Sequence, residues 1–462
     1  MDGEVRINPY LSGNFAPVRS EDDFDLVVKG EIPKGLKGAL YRTGPNPQFE
    51  PRGEYHWFTG DGMIHAFHVE DGKVSYRNRY VRTPKWELEN SEGRALFGGF
   101  GNPMTTDPIA QGKDGGVANT NILFHAGRLL ALEEGHSPFE MAERTLESKG
   151  YAAEYQGRVT AHPKIDPKTG EMVWFGYGVG DMPLSAGMSY GVTDATGKVV
   201  RRDDFQAPFS SMVHDFLVTE NYALFPVLPL TGSLDRAMKG LPAYAWEPDK
   251  GSHVGVMRRD ADVASIRWFN APPSYVFHPM NAWEEGGKIV ADVFRYDSAP
   301  LFPNADGSPG QKAAARLVRW TFDLDGDSDA IKEEPIDDLD GEFPRFDERY
   351  AGSAYRHGWY AADPANAKTI KQTAIAHLDL FTGKRQVYAL TGGDMTSEPV
   401  FTPRSAEAPE GDGWVTAVVW RAAENRSDLL VFEALDIAKG PIAVAEMPRR
   451  VPFGFHGNWV AG

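Results

Sequence analysis

The 462-residue chain contains no cysteine, which excludes disulfides, thiolate metal ligands and a cysteine nucleophile and suits a reducing compartment. Any metal it holds must therefore be bound through nitrogen and oxygen. Long apolar runs are missing as well. The opening stretch MDGEVRINPYLSG lacks the apolar core of a signal peptide, and no window approaches the roughly 20 apolar residues of a membrane-spanning helix. A cytoplasmic location is the expectation. Basic residues are outnumbered, leaving a formal net charge of -17, so neither nucleic acid nor an anionic membrane surface suits it as a main partner. Sustained helical periodicity is scarce too, which argues against a parallel α/β sheet.

What remains reads as strands and turns. A hydrophobic share of 41% beside 24% charged residues is that of a globular protein with a sizeable core. One local pattern recurs, a turn containing Gly and a basic residue followed by an apolar run. It occurs as DGKVSY from Asp71, AGRLLAL from Ala126, TGEMVWFGY from Thr169, TGKVV from Thr196, GGKIVADVF from Gly286 and TGKRQVYAL from Thr382. These are hairpin turns feeding inward strands. Many short antiparallel strands without a compositional break predict closed radial repetition, an all-β propeller. Seven blades would use roughly 60 to 70 residues each, leaving loops and short helices to cap one face.

Two stretches depart from that pattern. SLDRAMKG from Ser233 places Leu234, Ala237, Met238 and Leu241 at helical spacing, either as a packed loop helix or as an apolar lip beside a substrate entrance. The acidic stretch DLDGDSDAIKEEPIDDLDGEF from Asp323 resembles a calcium loop but lacks its ligand spacing, so it reads as a solvated connection.

Of 12 histidines, four share a setting between aromatic, small or proline residues at strand ends: His162 in TAHPKIDP, His214 in MVHDF, His278 in VFHPMNAWE and His456 in FHGNW. A lone histidine there is more often a hydrogen-bonded core residue than a ligand. Their wide separation excludes a zinc finger or a helical pair and suits ligands delivered by different blades to a common axis. Imidazole suits iron, zinc, copper or nickel alike. Two other classes stay open on these residues, a calcium-dependent propeller lactonase and a non-enzymatic scaffold, though neither needs four converging imidazoles.

Beyond these histidine motifs, GEIPKGLKGALYRTGPNP from Gly30, HWFTGDGMIHAFH from His56, ANTNILFHAGRLLALEEG from Ala118, GEFPRFDERYAG from Gly341 and SEPVFTPR from Ser397 occur in order. Through them the chain resembles, nearly end to end, the carotenoid cleavage oxygenase superfamily, in the bacterial branch that holds lignostilbene dioxygenases, isoeugenol monooxygenase and apocarotenoid oxygenases. The resemblance implies one seven-bladed β-propeller domain over residues 1–462. It implies one Fe(II) bound by His162, His214, His278 and His456, with Glu134, Glu342 and Glu398 accepting the outer N–H of three of these rings and none on the fourth. Thr120 matches a threonine whose methyl group obstructs an open iron position. The implied reaction adds O2 across a C=C bond of a small hydrophobic conjugated substrate and yields two carbonyl fragments, with no reductant or organic cofactor. Peripheral membrane contact during substrate uptake is compatible with it, and no particular oligomeric state is implied.

The stilbene and isoeugenol branch holds a substrate phenol with a Tyr in Tyr-x-Asn-Pro and a Lys before one of the glutamates. Here those places are taken by Phe100, in GFGNP, and Glu133, in ALEEG. Without that ammonium and hydroxyl the site does not help a phenol ionise in the same way, and Glu133 would oppose a phenolate or accept from a neutral hydroxyl. The substrate expectation is accordingly an apocarotenoid-like alkene, with a stilbenoid or phenylpropenoid as the alternative.

Overall fold

The recurring glycines all stand in left-handed backbone, with φ of +74° at Gly72 and +75° at Gly287. Asp71 and Gly286 before them also have positive φ, so Glu70 pairs with Lys73 and Glu285 with Lys288 across two-residue turns. Such turns match the strand twist, and glycine adopts them without a steric penalty.

The computed structural model describes residues 8–100, 103–366 and 371–462, apart from the Pro103 side chain. Its strands form seven antiparallel sheets of four to six strands and one two-stranded sheet. The sheets are the blades of a seven-bladed β-propeller. The C-terminal strand Gly457–Ala461 pairs with Gly38–Pro45, and Val27–Gly30 pairs with Ala443–Glu446. Chain ends therefore complete the first and last blades and close the ring, which leaves no long free edge.

Inner strands are buried on both faces because each blade is sandwiched between its neighbours. Met172–Tyr177 and Gly187–Thr193 are buried throughout, whereas the outer Val199–Gln206 has no buried residue. Gly191 shows how tight the packing is. It pairs across the strand with Trp174, and a Cβ there would stand 2.2 Å from the indole, so any side chain would displace the ring.

The acidic stretch does more than connect. Lys332–Asp337 within it is the outermost strand of the fifth blade, paired with Arg316–Asp323, and its exposure explains why its charges hid a strand pattern. Helices are few. Leu234–Met238 is helical as expected, but no residue of it is buried and Met238 is 80% exposed. Pro84–Glu92 is a second helix, missed because its apolar face is weak. Its ends carry the local signals, with the Thr83 side chain accepting from Trp86 N–H, proline first and Gly93 in left-handed backbone beyond the end. Among the described residues no helix is long and apolar enough to cross a membrane.

Loops between strands form the cap. They carry Trp57 and Phe58, Phe100 and Phe302 to the wall of one cavity, to which the short strand Tyr244–Trp246 adds Tyr244, and a bridge from Trp246 to Asn304 ties that strand to the Phe302 loop.

Candidate metal centre

Each of the four histidines enters from an innermost strand or the residues just before one. His162 precedes Lys164–Ile165, His214 precedes Leu217–Val218, His278 lies in Tyr275–Glu285, and His456 precedes Gly457–Ala461. The strand around His278 shifts register between Val276 and Pro279, so two residues, Phe277 and His278, face one on the partner. That bulge turns the imidazole out of the ladder toward the axis. Gly457 is required beside His456, since a Cβ there would come within 2.6 Å of the Tyr41 carbonyl.

The four rings meet, and one nitrogen from each lies within 4.8 Å of all the others. His162 Nε2 and His214 Nε2 are 3.1 Å apart, as are His214 Nε2 and His278 Nε2. Behind the rings, His214 Nδ1 donates to Glu134 Oε1, His278 Nδ1 to Glu342 Oε2 and His456 Nδ1 to Glu398 Oε1 at 3.0 Å. A carboxylate only accepts, so each of these protons sits on Nδ1 and each Nε2 presents a lone pair. At His214 and His278 two such lone pairs face one another at 3.1 Å with no proton between them, which is the environment a cation resolves. Ligation at right angles with metal–imidazole bonds of about 2.1 Å spaces neighbouring nitrogens by about 3.0 Å. The donor set fits a metal. His162 differs, since its Nδ1 lies 3.7 Å from Asp215 Oδ2, beyond hydrogen-bond reach, while Asp215 is held by Lys164 at 2.7 Å.

The carboxylates are themselves held. Tyr177 donates its hydroxyl to Glu134, Tyr296 to Glu342 Oε1 at 2.9 Å, and the Gly457 N–H to Glu398 Oε2 at 2.9 Å. Arg345 lies 3.3 Å from Glu398. Burial pushes the Glu398 carboxyl up, but Arg345 and His456 outweigh it and hold it down at about 2. Burial lowers His456 to about 4 and, with the charges of the other three rings, sets His162 well below its ordinary value. At His278 burial acts in the same direction, yet Glu342 prevails and raises the imidazole above its ordinary value.

Phe343 completes the support. Its backbone is left-handed, φ +54°, which is strained for a bulky side chain and is concentrated at functional sites. Its ring stacks on His278 at 5.3 Å and meets His456 edge-on at 5.2 Å. Tyr177, Tyr296, Arg345 and Phe343 were not among the expected site residues. Only the bulge signal Phe343-Pro344 beside Glu342 could have pointed to one of them.

A cavity of about 800 Å³ opens onto His214, His278 and His456, with Thr120, Glu133, Glu134 and Phe100 in its wall. The Thr120 hydroxyl donates to Asn119 at 2.9 Å, and its carbonyl accepts from His456 N–H. Phe100 lies among His56, Phe58, Tyr244 and Phe302. Glu133 is heavily engaged: Oε2 accepts from Val117 N–H at 2.8 Å and Ala118 N–H at 3.2 Å, and Oε1 pairs with His136. Burial works against ionisation there, but His136 lowers the Glu133 carboxyl and is itself raised by it. Much of this carboxylate is thus spent inside the protein.

The family described as retinal pigment epithelial membrane protein matches residues 15–461. Isoeugenol monooxygenase of Pseudomonas putida is 40% identical, the match covering 98% of each chain. Lignostilbene-alpha,beta-dioxygenase isozyme III of Sphingomonas paucimobilis is 39% identical over 97% of this chain and 96% of the relative. Among solved structures, Pseudomonas brassicacearum lignostilbene dioxygenase superposes with a TM-score of 0.93 at 38% identity over 98% of both chains. A variant of Synechocystis apocarotenoid oxygenase gives 0.87 at 28% identity, over 97% of this chain and 98% of the other.

Proposed function

The chain belongs to the retinal pigment epithelial membrane protein family, that of the carotenoid cleavage oxygenases, and from that premise we propose that it is a non-haem iron oxygenase cleaving an aryl-conjugated alkene. Its substrate is a stilbenoid or phenylpropenoid, split at a C=C bond into two carbonyl fragments. The carrying observation is the convergence of four imidazoles, three of them fixed from behind by carboxylates, at the floor of an aromatic cavity. The apocarotenoid reading loses ground because relatives named for isoeugenol and lignostilbene stand at 40% and 39% identity, above the 28% of the apocarotenoid oxygenase.

His162, His214, His278 and His456 would hold the ferrous ion, which when bound supplies the binding and activation of O2. Glu134, Glu342 and Glu398 keep the protons on Nδ1, so the rings stay neutral, oriented and basic. Tyr177, Tyr296 and Gly457 keep those carboxylates in place. Phe58, Phe100, Phe302 and Phe455 line the cavity, excluding water and offering ring faces to a flat substrate. Thr120 narrows access beside the ligands, and Phe100 with Glu133 shapes the substrate's polar end. No side chain is required as an acid or base.

Iron analysis and product analysis test this together. About one iron per chain, and paired aldehydes by mass spectrometry from resveratrol or isoeugenol under O2, are expected. Cleavage of an apocarotenal alone would return the substrate to the carotenoid class. Cleavage of these 4-hydroxyaryl alkenes faster than of their 4-methoxy ethers would show that Phe100 and Glu133 do not discriminate against phenols.

A further inference from the structure

A half-buried cation in the cavity wall, Arg158, has none of the partners that other arginines of this fold have. Arg259 is paired with Asp166 and Glu171, Arg236 with Glu247, and Arg345 with Glu348 and Glu398. Among the described residues the Arg158 guanidinium makes no ion pair and donates no hydrogen bond. Gly178 keeps its place clear, since a Cβ there would stand 3.4 Å from Arg158 Nη1. None of its nitrogens is sealed from solvent without a partner, so the guanidinium meets water at the cavity wall and an anionic ligand can take its donors without breaking an existing pair.

The neighbouring acids do not finish it. Glu133 is engaged by His136 and two backbone N–H groups, and Glu134 by His214 and Tyr177. Arg158 is within electrostatic reach of His136 and Tyr244, which places the unmatched positive charge on the same side of the cavity as Glu133. Of the other cations in the wall, Lys312 is solvent-exposed and Lys371 has interactions of its own.

We propose that Arg158 is the anchor for a carboxylate carried by the substrate, so that the alkene this cavity selects is an aryl-conjugated acid. This rests on the aryl-alkene reading above and narrows it. A planar guanidinium fork matches a carboxylate in a two-point contact. A carboxylic acid is ionised at neutral pH without help, whereas a phenol with a pKa near 10 is not, and the groups that would assist a phenol are replaced here by Phe100 and Glu133.

The test is binding of a matched pair, stilbene-4-carboxylate and stilbene-4-carboxamide, to the iron-loaded enzyme without O2, followed by calorimetry. The carboxylate is expected to bind roughly ten- to hundredfold more tightly than the amide. In Arg158→Leu the ratio falls close to one, and in Arg158→Lys, which keeps the charge without the fork, it lies between. Equal binding by the wild-type enzyme, or a preference that survives Arg158→Leu with iron content intact, overturns the proposal. Should Arg158→Leu fail to fold, Arg158→Lys bears the same test: an undiminished ratio refutes the assignment. Turnover is scored separately after O2 is admitted. A bound but uncleaved carboxylate would count against the oxygenase reading while leaving the anchor standing.

Discussion

At the cavity floor, the Nδ1 atoms of His214, His278 and His456 are held by carboxylates that are themselves held by Tyr177, Tyr296 and Gly457. On the wall above, Phe58, Phe100, Phe302 and Phe455 meet through ring contacts of 5.7 to 6.3 Å. The floor is directional: an unpaired donor or acceptor in a buried site carries its full desolvation cost, so few alternatives satisfy it. The wall is held by dispersion and area, which many shapes supply. On the proposed function, the floor would hold the metal and the wall would choose the substrate.

The sharpest way to break that contrast is at the ligands. His278→Ala is expected to abolish iron loading and alkene cleavage together, read by elemental analysis and aldehyde formation. Activity persisting without iron would remove the floor's assigned role. One step back, Glu342→Gln should lower metal affinity about 10- to 100-fold, and Tyr296→Phe, which removes one of three bonds to the same carboxylate, should cost less. Unchanged metal affinity with a raised KM in Tyr296→Phe would mean that Tyr296 acts on substrate and not through Glu342. On the wall, Phe100→Ala should raise KM about 2- to 10-fold, the worth of an aromatic contact, with iron content unchanged. Iron loss in that variant would join wall to floor.

The smallest expected effect concerns Asp340, a cavity acid that burial raises to about 6. Its folded value exceeds the ordinary one, so the folded state is favoured when Asp340 is protonated, and stability declines as pH rises from about 4 through 6. Asp340→Asn should therefore raise the thermal midpoint at pH 7.5, with the gain gone by pH 4.5. A constant gain across that range would assign the effect to something other than ionisation.

Much of the floor was legible from the chain because histidine beside proline or glycine at a strand end is a local pattern, and family motifs surround it. Tyr177, Tyr296 and Arg345 escaped notice because they sit in ordinary strand contexts far from the carboxylates they touch. The bulge at His278 was hidden as well, since a register shift depends on the partner strand, whereas Phe343-Pro344 marks the one beside Glu342. Glu133 was visible as a departure, but its engagement by His136 was not.

Composition, turn glycines and strand patterning pointed to an all-β propeller, because these are properties of neighbouring residues, and the family resemblance carried by the ordered motifs implied the four histidines at its axis. Only the tertiary structure decided which carboxylate holds which ring, that His162 goes without one, and that Arg158 faces the cavity unpaired. Those outcomes depend on distances between residues remote in the chain, and on which polar groups burial leaves without water.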